Sequence, residues 1–163
     1  MPELITVVPL LPLLGFLILG LFGKKIGSEK LIGTIATSTV AISFLIALSI
    51  FFNLVGDASG EPHIINLFHW FGAGDFSLDF AYQVDRLSII FVLIITGIGS
   101  LIHIYSIGYM HGDRSFYRFF AYLNLFIFMM LNLVLGSNFL VTFLGWEGVG
   151  LASYLLIGFW YDR

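Results

Sequence analysis

Five stretches of the chain, residues 4–22, 31–55, 87–109, 116–135 and 139–160, contain between them only two formal charges, Arg118 and Glu147. Each is long enough to cross roughly 30 Å of hydrocarbon at about 1.5 Å per helical residue. A backbone in lipid must satisfy its own hydrogen bonds, which leaves helices or closed barrels. Apolar runs of this length predict helices. The rest of the chain offers no water-soluble alternative: charged residues are 10% of the 163, against about 25% in soluble domains. The expected fold is an all-α integral membrane bundle of five transmembrane helices. Pro9 and Pro12 fall in the first helix, where a membrane span tolerates proline. Glu3, and no Lys or Arg, precedes that helix, so it is expected to be a retained span and not a secretory signal.

Charge sorts the connections. Lys24, Lys25, Lys30, Arg114, Arg118 and Arg163 fall on one side of five crossings, and Glu3, Asp57, Glu61, Asp75, Asp79 and Asp85 on the other, with Arg86. Lys and Arg favour the cytoplasmic side, so the N-terminus is expected outside and Arg163 inside. The outer loop, residues 56–86, is patterned. Ile64 to Phe71 is apolar and aromatic, Gly72 to Asp75 signals a turn, and Phe76, Leu78, Phe80 and Tyr82 alternate with smaller or polar residues. Such runs predict a β-hairpin on the outer face, read as a cap over helix ends or a docking surface for a neighbouring subunit. The chain thus divides into helices one and two (1–55), the hairpin loop (56–86) and helices three to five (87–163).

Within the spans, Glu147 lies about 12 Å from the outer end of helix five, near the midplane. An ionised carboxylate costs roughly 2–3 kcal/mol or more to insert there. Buried ionisable groups of this kind suit proton relays, and an interhelical hydrogen bond is the structural alternative. Gly150 and Tyr154 share its side, expected to be a packed face, while Gly145, Gly148 and Ala152 form a small-residue stripe for a neighbouring helix. On helix three, Thr96, Ser100 and His103 form one polar stripe. Histidine as a residue type titrates near neutral pH, which makes His103 a possible second relay group. Asp85-Arg86 reads as an interfacial ion pair, and the charges of His111-Gly112-Asp113-Arg114 as solvated. His103, His111 and Glu147 lack ligand spacing, so no metal site is expected. Cysteine is absent from the sequence, which excludes thiolate and iron–sulfur ligation. No run of the seven Lys and Arg suggests nucleic acid.

The segment GWEGVGLASYLLIGFW (145–160) resembles the fifth helix of the L-chain family of antiporter-like membrane subunits of respiratory complex I, the NADH–quinone oxidoreductase. VDRLS (84–88), LIHIYSIGYM (101–110) and RFFAYLNLFIFMM (118–130) are similar to the family's third and fourth helices. The large subunit of multisubunit cation/proton antiporters shares Trp-Glu on this helix, and Gly148-Val149-Gly150 favours complex I. The resemblance implies proton translocation driven by quinone reduction. Glu147 occupies the glutamate that pairs with a lysine on a later broken helix, and His103 matches a family histidine. It implies no redox cofactor on this chain, with NADH, FMN, iron–sulfur clusters and quinone bound by other subunits of the complex. It implies other complex I membrane subunits as partners and a bacterial inner membrane, or its organellar equivalent, as location. Family members continue for many more helices, so an N-terminal portion of a longer protein is expected. The remaining alternatives are an ion antiporter subunit and a structural membrane scaffold.

Overall fold

The computed structural model describes residues 2–56, 60–74 and 76–161; Asp57, Asp75 and Arg163 of the charge pattern lie outside the described residues. A 3-10 turn over Pro2–Thr6 leads into α1 (Val7–Ile26), followed by α2 (Glu29–Gly56), strands β1 (His63–Ala73) and β2 (Phe76–Val84), then α3 (Arg86–Tyr109), α4 (Phe116–Leu135) and α5 (Phe139–Ile157). All five helices are long and apolar enough to cross a membrane.

Helix α4 is the hub. It packs against α1, α2 and α3 on one side, where α2 bridges α1 and α3, and against α5 on the other. Its buried residues, among them Phe120, Asn124, Ile127, Leu131 and Leu135, recur at helical spacing and face the other helices. Leu131 and Leu135 join Val40, Ala47, Ile89 and Val92 in the core beneath the hairpin. Phe116 and Phe120 join Leu19, Ile32, Ala36 and Met110 at the opposite end.

Each helix starts or stops for a local reason. Pro12 has no N–H to donate to the Val8 carbonyl one turn earlier. The buried Ser43 hydroxyl, from α2, donates to that carbonyl at 2.8 Å and restores the missing bond. Gly27 ends α1 with φ of 65°, a left-handed conformation that costs glycine little, and its N–H closes on the Gly23 carbonyl. Asp85 caps α3: its carboxylate accepts from the N–H groups of Leu87 and Ser88 while the Ser88 hydroxyl accepts from the Asp85 N–H. The expected Asp85-Arg86 pairing is therefore replaced, for Asp85, by a capping box with Gln83 as a further donor.

The hairpin pairs antiparallel, with two register shifts in β1, and rests on the α4–α5 turn. Tyr82 bridges to Gly136, Ser137 donates its N–H to the Ala81 carbonyl, and Asn138 donates its side-chain amide to the Asp79 carbonyl while its side-chain oxygen caps α5. The Tyr82 hydroxyl donates to Asn132 Oδ1 at 2.7 Å in a buried contact. Burial raises the Tyr82 pKa, which keeps the hydroxyl a donor. At the other end Glu29 accepts from Gly112 N–H and lies 2.7 Å from His111 Nδ1, so α2 is tied to the α3–α4 loop. The charges of that loop are thus partly engaged by neighbouring segments, beyond simple solvation.

Candidate functional site

Glu147 occupies the ninth position of the 19-residue α5, close to its midpoint. The stripe of Gly145, Gly148 and Ala152 is buried, and it is α4 that approaches it. A Cβ at Gly145 would fall 2.5 Å from Leu133 Cα, so only glycine permits this closeness. Locking that face onto α4 turns Glu147 outward. With Gly150 and Tyr154 it is exposed in these 163 residues, where a packed face was expected. Among the described residues Glu147 forms no hydrogen bond or ion pair.

His103 is placed differently. It is 1% exposed, between α3 and α4, with its ring 6.2 Å from that of Phe120. Its Nδ1 lies 2.7 Å from the Gly99 carbonyl. A carbonyl only accepts, so Nδ1 carries the proton, and in the neutral ring Nε2 is an acceptor. That Nε2 is buried without a partner among the described residues. Thr96 and Ser100 share the stripe, each hydroxyl donating to the carbonyl four residues earlier.

Glu147 and His103 are not brought together, because α4 stands between the helices that carry them. A further polar tie lies on α4. Asn124, fully buried, accepts from Thr39 at 2.9 Å and donates to the Phe120 carbonyl. The signal for it was an amide in mid-span of the apolar run 116–135, whose other asparagine, Asn132, lies near its end.

Five apolar helices, one of them central, with a hairpin at one end, make a multi-pass membrane bundle. Over 91% of its length the chain matches, with a TM-score of 0.71, 22% of a chain in the membrane-bound sulfane sulfur reductase, an archaeal respiratory membrane complex; at 21% identity this likeness concerns the fold. Residues 70–120 match the sequence family described as the N-terminus of NADH-ubiquinone oxidoreductase (complex I) chain 5. The chain is 45% identical over 154 residues to NADH-quinone oxidoreductase subunit L of Rickettsia bellii, covering 94% of this chain and 24% of that protein. To NADH-ubiquinone oxidoreductase chain 5 of Hypocrea jecorina it is 42% identical over 156 residues, covering 94% of this chain and 22% of that one. The chain belongs to this subunit L and chain 5 family, and it spans about a quarter of the length of these curated relatives.

Proposed function

We propose that this chain is part of a proton-translocating membrane subunit of an NADH–quinone oxidoreductase, with Glu147 as an intramembrane proton carrier. The observation that carries this reading is a mid-membrane carboxylate, on a chain of this family, that no described residue engages. A group that costs about 3 kcal/mol to bury as an anion, and that no internal bond employs, is suited to bind and release a proton against a partner outside residues 1–163. A cation there would favour the ionised state and its withdrawal the protonated one. His103 is a second group in the route. Its Nδ1–H is held by Gly99 and its Nε2 is open to accept a proton. With α4 between them, the two act as separate stations and not as a contact pair.

In this reading the end carrying Lys24, Lys25, Lys30, Arg114 and Arg118 faces the cytoplasm, and the hairpin faces outward. NADH oxidation and quinone reduction occur on other subunits, which supply the energy and hold the redox groups. The test is Glu147→Gln in the full-length subunit within the assembled complex. Proton uptake into vesicles and NADH oxidation are recorded on the same preparation. The expected outcome is intact assembly with proton uptake sharply reduced. If both rates equal wild type, Glu147 is structural and the proposal fails.

A further inference from the structure

Two rows of residues meet where α2 packs on α3. Gly33, Thr37 and Val40 share one face of α2, and Ile107, His103 and Gly99 share one face of α3. Close contacts fix their register. A Cβ at Gly33 would fall 2.8 Å from the Ile107 side chain, and one at Gly99 would fall 3.6 Å from that of Val40. Farther along, a Cβ at Gly97 would meet the Phe44 ring at 3.0 Å, so each step forward on α2 is a step back on α3. Thr37 stands between Gly33 and Val40, and His103 between Ile107 and Gly99. The two residues therefore share one level of the antiparallel pair.

Each brings an unpaired polar atom to that level. The Thr37 hydroxyl oxygen and His103 Nε2 are both buried, and neither has a hydrogen-bond partner among the described residues, so they are not bonded to each other. Two such groups in one apolar interface are costly unless something joins them. Their chemistry is complementary. With Nδ1 protonated against the Gly99 carbonyl, Nε2 accepts, while the threonine hydroxyl can donate. What joins them must be small and must both accept and donate, as a buried water does between polar groups that lack other partners. His103 is 1% exposed with only these 163 residues around it, so the enclosure needs no further segment.

We infer that one buried water bridges Thr37 and His103, accepting from the Thr37 hydroxyl and donating to Nε2. Thr37 is thus a positioning residue: it holds the water, and the water holds the ring in its Nδ1–H form. Because Nδ1–H faces a carbonyl, a proton reaches the ring from the Nε2 side, where this water stands. That last role rests on the reading of His103 as a station in the proton route, whereas the water site itself does not.

The experiment uses the assembled complex with the full-length subunit. Electron cryo-microscopy, at a resolution that shows ordered water, is paired with proton uptake into vesicles measured per NADH oxidised. Wild type is expected to show one water peak within hydrogen-bond reach of both Thr37 Oγ1 and His103 Nε2. Thr37→Val, close in shape but without the hydroxyl, is expected to lose the peak and to lower proton uptake severalfold. Thr37→Ser, which keeps the hydroxyl, is expected to retain both, and Thr37→Ala serves if the valine variant does not assemble. No peak in wild type, a direct Thr37–His103 bond, or a peak that persists in Thr37→Val would overturn the water site. Loss of the peak with unchanged uptake would overturn its part in proton supply. His103→Gln pumping at the wild-type rate would instead overturn the reading of His103 as a station.

Discussion

Gly145→Ala tests whether α5 is held by backbone proximity to α4. The added methyl would sit 2.5 Å from Leu133 Cα and nearer still to the Leu133 backbone nitrogen. Carbon atoms in ordinary contact stand about 3.5–4.0 Å apart, so the two helices must part by about 1 Å at this point. Overpacking of this kind costs about 1–3 kcal/mol. The upper end applies, because the obstacle is main chain and cannot swing aside. A shift of about 3 kcal/mol changes the ratio of packed to unpacked forms roughly 160-fold. Gly20→Ala is the control, since a Cβ there meets nothing within 4 Å. The assay is the fraction of full-length subunit that stays in the complex through a graded detergent and temperature challenge. Gly145→Ala should be lost at lower stress than Gly20→Ala, which should track wild type. If the two alanine variants behave alike, the close α4–α5 approach is not what secures the helix carrying Glu147.

Two further changes address the hairpin end. Tyr82→Phe leaves the buried Asn132 oxygen without its donor and should cost about 1–3 kcal/mol, seen as earlier proteolysis of the hairpin; unchanged proteolysis would mean the strands are secured without this bond. At Asp85, burial pushes the carboxyl pKa up, but hydrogen bonds from the Ser88 backbone, Gln83, the Ser88 side chain and the Leu87 backbone outweigh it, leaving the pKa below its ordinary 3.8. The sign follows: this stabilisation is fully present above pH 3.8 and is lost as pH falls through the lowered folded value. Thermal melts of Asp85→Asn, which can still cap, should show a deficit against wild type near neutral pH that closes in that acid range. A deficit independent of pH would refute the linkage.

The spans were legible because hydrocarbon thickness and charge exclusion act on sequence directly, and α4 runs over the expected 116–135. The first helix ends later than expected, at Ile26 and not residue 22, because Lys24 and Lys25 continue the helix with side chains long enough to reach its polar end. The last span stops at Ile157, short of the expected 160. The stripe of Thr96, Ser100 and His103 was legible from helical spacing; Thr96 and His103 are buried and Ser100 half-buried. The exposure of Glu147 was not. Spacing says which residues share a face, but the covered face depends on the close fit of Gly145 and Gly148 to α4, which competes with the other face for a partner. The roles of Asn132 and Asn138 were equally hidden, since their hairpin partners lie 50 and 59 residues away.

The hub position of α4 also sets an order of events during synthesis. Helices α1, α2 and α3 leave the ribosome before the helix they surround, and the cross-helix partner of Thr39 arrives 85 residues later, as Asn124. The Ala36 carbonyl, 2.8 Å from that hydroxyl on its own helix, is the acceptor within reach before Asn124 arrives. The early helices already pack pairwise, α2 on α1 and α2 on α3, and α4 then joins all three. Residues 110–115, the short link between α3 and α4, thus precede the helix that ties the three earlier spans together.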